Sequence, residues 1–246
     1  MIILAVAFFS TAFFLFSSNR QQEKPETNIT PPFNVGEQMI YEIKLVNSTG
    51  THSLYTLNLS VVGTTEINGS QCFILRGEYL GYDVVMYSYV TTNNLTLLKT
   101  HMKSSSGSVT LLYDHKKNKC TISVTTSEGT SSQETDIKPD IQDSLSAIYY
   151  IRSLPLEEGY WCTFNQMTSK GVVLIKVSVE KKLQTIHIGL GNFTCYEVSL
   201  EAGGASNKVY ITTSSERIPV MIEIPLGRET YQYWELINYV PPIKTA

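Results

Sequence analysis

At 246 residues, with 42% hydrophobic and 17% charged side chains, the chain can build a full core and is too apolar to be disordered by composition. The net charge is −3, and Lys and Arg are scattered except at Lys116, Lys117 and Lys119, so there is no electrostatic footprint for nucleic acid and that class of partner is excluded.

Residues 1–18 are an apolar run containing Ile2, Leu4, Phe8, Phe13 and Phe16, near the length of a spanning helix, and they fit either a membrane anchor or a signal segment. Cutting after Ser10-Thr11-Ala12 would leave Phe13 to Phe16 on the mature end, which favours an uncleaved anchor with the domain outside the cell membrane. Secretion after signal cleavage is the alternative. No basic residue precedes the run, while Arg20 and Lys24 follow it, so the positive-inside rule lends this orientation no support. Residues 19–32 are polar, end in Pro31-Pro32, and read as an extended tether.

From residue 33 to 239 the dominant signal is strand alternation. Leu57, Leu59 and Val61 alternate with Asn58 and Ser60, and Val173, Ile175, Val177 and Val179 alternate with mainly polar residues. Turn signals at Asn68-Gly69, Asn93-Asn94, Ser106-Gly107, Lys170-Gly171, Gly191-Asn192 and Gly203-Gly204 punctuate the runs. The spacing predicts a mainly β fold, an antiparallel meander or barrel-like sheets.

One segment interrupts this pattern. Residues 140–154 read as a short helix, with Asp140 as its cap, Asp143 reaching back as the capping-box partner, and Pro155 as its stop. Leu145, Ile148 and Tyr149 form one apolar stripe, and Ala147, Tyr150, Ile151 and Leu154 form a second, so the helix is expected to be a buried connector. On either side of it the chain resembles itself. Gly36 aligns with Gly159 and Cys72 with Cys195 at a shift of 123 residues, Tyr89-Val-Thr-Thr92 with Tyr210-Ile-Thr-Thr213 at 121, and Gly107 with Gly227 at 120. The expectation is two similar β halves, about 33–139 and 156–239, joined by the helix.

Phe33-Asn-Val-Gly-Glu-Gln-Met-Ile-Tyr41, Asp143-Ser-Leu-Ser-Ala-Ile-Tyr-Tyr-Ile-Arg152 with Pro155-Leu156 and Gly159, and Arg217-Ile-Pro-Val220 resemble the prokaryotic family catalogued as domain of unknown function 3108. The resemblance implies an exported, mainly antiparallel β protein of the cell envelope without an assigned activity. It carries over no catalytic residues, and neither the cysteines nor the apolar N-terminus belong to the matching motifs.

Cys72, Cys120, Cys162 and Cys195 are an even set in a chain whose N-terminus reads as an anchor or signal segment, which favours disulfides, with all three pairings open. No Cys-x-x-Cys pair or nearby His suggests zinc, and Asp136, Asp140, Asp143, Glu157 and Glu158 lack the alternation of a calcium loop, so no metal or cofactor is expected. Arg152, among apolar neighbours, is expected to pair with one of these carboxylates. His52, His101, His115 and His187 are isolated, and no Ser, His and acid set suggests a nucleophile with its base, so an enzyme is not expected. Asn28, Asn47, Asn58, Asn68, Asn94 and Asn192 begin Asn-x-Ser/Thr sequons, sites for N-glycosylation if the domain lies outside.

Two functions fit these features. The first is a membrane-tethered surface or structural domain of the cell envelope. The alternative is a carrier of a lipid or other hydrophobic ligand, held in a gap between the halves walled by Leu57, Leu59, Ile148, Tyr149, Tyr150, Ile175 and Val177. A helix that merely plugs that space fits the same periodicity, which reports burial and not the identity of the neighbour. The oligomeric state has no signature in the sequence.

Overall fold

A computed structural model describes residues 30–243. The apolar run 1–18, nearly all of the tether and the Asn28 sequon lie outside the described residues. Among the described residues sixteen strands, β1 (Gln38–Asn47), β2 (Gly50–Ile67), β3 (Ser70–Leu80), β4 (Val84–Thr91), β5 (Leu97–Ser104), β6 (Gly107–Asp114), β7 (Lys119–Thr126), β8 (Gly129–Asp136), β9 (Ile141–Gln142), β10 (Trp161–Thr168), β11 (Gly171–Val179), β12 (Gln184–Ile188), β13 (Gly191–Ala202), β14 (Ala205–Thr212), β15 (Pro219–Gly227) and β16 (Thr230–Val240), form one sheet. Their order is β8-β7-β6-β5-β4-β3-β2-β1-β16-β15-β14-β13-β11-β10-β9, with β12 paired to β13. The sheet does not close. Its edges are β8 (Gly129–Asp136), polar and almost wholly exposed, and β9 (Ile141–Gln142), which pairs in parallel with β10. Among the described residues no helix is long and apolar enough to cross a membrane.

Alternation sets the sheet's two faces. In β1 (Gln38–Asn47), Met39, Tyr41 and Ile43 are buried between half-exposed neighbours, as the two-residue period of a strand requires. Five of the six predicted turns fall at junctions between consecutive strands; Gly191-Asn192 instead opens β13, just past the turn at residues 189–190. Between β2 (Gly50–Ile67) and β3 (Ser70–Leu80), Asn68 and Gly69 both take positive φ, 51° and 79°, the pair of conformations that a tight type I′ hairpin demands.

The same hydrogen-bond pattern occurs twice. Gly36 N donates to Val61 O (2.8 Å) and Val61 N to Glu37 O (3.0 Å); in the second half Gly159 N donates to Val179 O (3.2 Å) and Val179 N to Tyr160 O (2.9 Å). Cys72 on β3 lies opposite Thr91 on β4 (Val84–Thr91), and Cys195 on β13 (Gly191–Ala202) opposite Thr212 on β14 (Ala205–Thr212). Register shifts fall at Tyr89/Val90 and at Tyr210/Ile211, and each is followed by a corner with one positive-φ residue, Leu95 (56°) or Arg217 (46°). The fourth sequence match does not coincide with these. Gly107 opens β6 (Gly107–Asp114) just after its turn, while Gly227 closes β15 (Pro219–Gly227) just before its own, so Gly107 stands where Thr230 does.

The helix, α1, runs from Ser144 to Arg152 and is shorter than 140–154 at both ends, by four residues at its start and two at its end. Asp140 is not its cap. Asp140 O accepts from Asn165 N (3.1 Å) and residues 141–142 pair with β10 (Trp161–Thr168), which commits that backbone to the sheet. Asp143 is the N-cap, accepting from Ser146 N at 2.7 Å while its own N–H donates to Ser146 Oγ at 2.9 Å, a capping box closed by serine. Of the nine helical residues only Ser144 and Ile148 escape full burial. Leu145 packs toward Gly77 on β3, where a Cβ would lie 3.5 Å from the leucine.

The four cysteines are free thiols, against the expectation of disulfides. Cys162 lies opposite Val177, itself opposite Leu200, which is five residues along β13 from Cys195. Two strand spacings and five residues of rise separate those α-carbons by roughly 19 Å, whereas a disulfide tolerates about 7 Å. Cys72 and Cys120 have β4, β5 and β6 between them in the sheet. The Cys72 and Cys195 thiols each donate to the carbonyl two residues back, Ser70 O at 3.4 Å and Phe193 O at 3.6 Å.

Candidate functional site

The two ends of α1 are tied to equivalent corners of the two halves by different chemistry. At the N-terminal end, Gln142 Nε2 donates to Leu95 O (3.1 Å), and buried Asp143 accepts from Ser88 Oγ (2.6 Å) and Thr100 Oγ1 (2.5 Å). Burial raises the Asp143 pKa above the ordinary carboxyl value, while these hydrogen bonds and those from Ser146 pull it back. At the C-terminal end, Arg152 is fully buried. Its Nη1 and Nη2 fork onto the Glu37 carboxylate at 2.6 and 3.0 Å, Nη2 also donates to Glu216 O (2.9 Å), and Nε donates to Arg217 O (2.9 Å). Burial would lower the Arg152 pKa, but the Glu37 carboxylate outweighs it and holds the group charged. Phe33 and Tyr149 stack edge-to-face, with the guanidinium 5.5 Å from each ring centre. The partner of Arg152 is therefore Glu37 and none of the five carboxylates expected from the sequence. The charge of Arg152 in the last turn suits the helix dipole.

Between these anchors a cavity lies against α1, enclosing about 880 Å³ of space free of atoms, its open mouth included. Leu145, Ala147, Ile148 and Ile151 border it from the helix, and Tyr55, Leu57 and Leu59 from β2. The second half supplies most of the remaining wall: Phe164 and Gln166 of β10, Leu200 of β13, Val209 of β14, Ile222 and Ile224 of β15. Gln232 and Trp234 of β16 (Thr230–Val240) complete it, with Ser144 and Asn207. Gln232 Nε2 donates to Tyr55 OH at 2.9 Å. Trp234 packs edge-on against Tyr41, whose hydroxyl donates to Pro219 O at 2.7 Å.

Of the seven wall residues expected from the sequence, Leu57, Leu59 and Ile148 border this space. The other four do not. Tyr149 faces Phe33 and the Arg152–Glu37 pair, Tyr150 packs edge-on against Phe164, and Ile175 and Val177 are sealed in the core. Gln166, Gln232 and Trp234 were not singled out by sequence reading, because polar or indole residues on an alternating strand read as its wet face. Asn68, Asn94 and Asn192 are exposed at turns or strand starts, and Asn47 is half-buried where β1 ends. Asn58, also half-buried, lies in mid-strand on β2, with its Oδ1 buried and without a hydrogen-bond partner among the described residues. Among the described residues no group of His, Cys, Asp and Glu could hold a metal. His52, His101, His115 and His187 bond to Thr49, Thr110, Leu97 O and Asn192 respectively.

A curved, mainly antiparallel sheet around one helix places the molecule among β-barrel-like proteins. More particularly, the chain belongs to the family described as protein of unknown function DUF3108, whose model matches residues 41–232. No curated protein matches it by sequence. A β-barrel-like protein of domain of unknown function DUF1849 from Brucella abortus is similar in fold, with a TM-score of 0.52 at 11% identity, covering 85% of this chain and 98% of that one. Weaker likenesses are to a candidate exported protein with a YmcC-like fold from Bacteroides fragilis (TM-score 0.33, 13% identity, 87% and 100% covered) and a candidate lipoprotein from Parabacteroides distasonis (0.32, 11%, 87% and 100%).

Proposed function

We propose that the protein is a non-enzymatic binder of a hydrophobic ligand in the cell envelope, held outside the membrane by residues 1–18 and taking its ligand into the cavity against α1. The cavity carries this reading. Its walls are mostly aliphatic or aromatic, with a few polar side chains among them, the make-up of a small-molecule site. A purely structural surface domain, the other reading of the sequence, gives no role to such a space, because a domain serving only its own stability gains by filling it. The extracytoplasmic placement rests on the apolar N-terminus, the proline-containing tether and the sequons.

Native mass spectrometry of the full chain, purified from membranes in a mild non-ionic detergent, with organic extraction of the same sample, tests the proposal. The expected result is a co-purifying lipid-like species whose occupancy falls in Val209→Phe, which fills the cavity from β14. A ligand-free wild type that also binds no member of a neutral and anionic lipid panel would overturn it.

A further inference from the structure

The cavity wall carries no Asp, Glu, Lys, Arg or His, yet it is not uniformly apolar. Gln166 is only 2% exposed, and its Oε1, a hydrogen-bond acceptor, has no partner among the described residues. Trp234 Nε1, a donor, is likewise buried and unpartnered. By contrast Gln232, on the same strand and face as Trp234, is bonded to Tyr55. An unmet buried donor or acceptor is costly, and within one cavity these two make complementary demands. One atom needs a donor and the other an acceptor, and a hydroxyl or an amide offers both. An ionised carboxylate or ammonium would meet no opposite charge at this wall, and its desolvation would go uncompensated.

Resting on the binding role proposed above, we infer that the cavity selects an uncharged amphiphile: an aliphatic body against Leu57, Leu59, Ile148 and Ile224, with hydroxyl- or amide-type groups inside the cavity donating to Gln166 Oε1 and accepting from Trp234 Nε1. Long-chain alcohols, acylglycerols and fatty amides share this chemistry. Fatty acids and lipids whose only polar group is charged do not. Val209 and Ile222, beside each other across the β14–β15 ladder, add only hydrocarbon to the wall.

The test is displacement of the apolar fluorophore N-phenyl-1-naphthylamine from the full chain held in amphipol at pH 7.5, using decane, 1-decanol and decanoate, which share a chain length. 1-Decanol is expected to compete about tenfold better than either of the others, the factor that one satisfied buried hydrogen bond of about 1.4 kcal/mol supplies. In Gln166→Leu and in Trp234→Phe, the ratio of decanol to decane potency within each variant should fall toward one. If Gln166→Leu fails to fold, Trp234→Phe and the wild-type ranking still decide. Decanoate competing as well as decanol, or an alcohol advantage that survives in the folded variants, overturns this inference while leaving hydrophobic binding intact. Absence of any fluorophore binding or displacement in the wild type removes both readings together.

Discussion

Gly77 on β3 and Leu200 on β13 occupy the same place in the two halves, five residues beyond Cys72 and Cys195 respectively, and their surroundings differ. In the first half the missing side chain at Gly77 lets Leu145 of the helix settle onto the strand, and Phe33, Phe73 and Tyr149 fill the adjoining space with edge-to-face contacts. In the second half Leu200 stands at the wall of a cavity that the helix does not fill. A single helix cannot fit two copies of one curved sheet equally. Here it meets the first half closely at Gly77 and leaves room at Leu200 of the second, so a repeated scaffold acquires a pocket without any change of backbone plan. The helix ends repeat the lesson in polar terms: the equivalent carbonyls of Leu95 and Arg217 are met by a neutral amide in one half and a buried guanidinium in the other.

The largest effect should come from breaking that asymmetry at its charged end. Arg152→Met leaves the Glu37 carboxylate buried without its partner and frees the carbonyls of Glu216 and Arg217, so stability in a urea titration should fall by about 3–5 kcal/mol. The double variant Glu37→Leu, Arg152→Met removes both charges and should recover part of the loss. Full recovery would mean that the two carbonyls do not need the guanidinium, and the comparison of the two corners would lose its basis.

A smaller effect separates the packed side from the hollow one. Gly77→Val places methyl groups against Leu145 and Leu59, and overpacking of this kind costs about 1–3 kcal/mol. Val209→Phe enlarges a side chain that borders the cavity and should stay within about 1 kcal/mol of the wild type, because the added atoms enter free space. Paired denaturant curves measure both. Equal losses would show the two sides to be equally tight.

Much of this architecture is legible from local pattern. Strand alternation, the turn pairs and the Gly36/Gly159 and Cys72/Cys195 matches each depend on a few neighbouring residues, and they anticipate the mainly β class and the repeated hydrogen bonds at both glycines. What sequence could not supply depends on partners far apart along the chain. Glu37 meets Arg152 across 115 positions, and nothing in the spacing marks it above the acids close to the helix. Asp140 and Asp143 both qualify as caps by residue type, and only the pairing of residues 141–142 with β10 decides between them. Leu57 and Ile175 belong to matching alternating strands, yet one borders the cavity and the other is sealed in the core, a difference that periodicity cannot express because both are buried.

The smallest effect concerns the acid end of the helix. Asp143 is buried, and burial raises its pKa even though Ser88, Thr100 and Ser146 all donate to it. A carboxyl that holds its proton more tightly when folded contributes stability that is fully present below the unfolded pKa, near 3.9, and lost as pH rises through the higher folded value. Asp143→Asn removes the titration but keeps the cap, since Asn is about as good an N-cap as Asp. Melting temperatures of the two proteins across acidic to neutral pH should therefore diverge in one direction: the wild type gains on the variant toward acid pH and loses ground to it as pH rises. Other carboxyls cancel in that difference. Gln142→Leu, which removes the amide from the same corner but no titrating group, should run parallel to the wild type at every pH. An opposite trend, with the wild type gaining on Asp143→Asn as pH rises, would mean that the three donors outweigh burial. The first corner would then hold a stabilised charge, as the Glu37–Arg152 corner does, and the chemical contrast between the two would shrink to the sign of that charge.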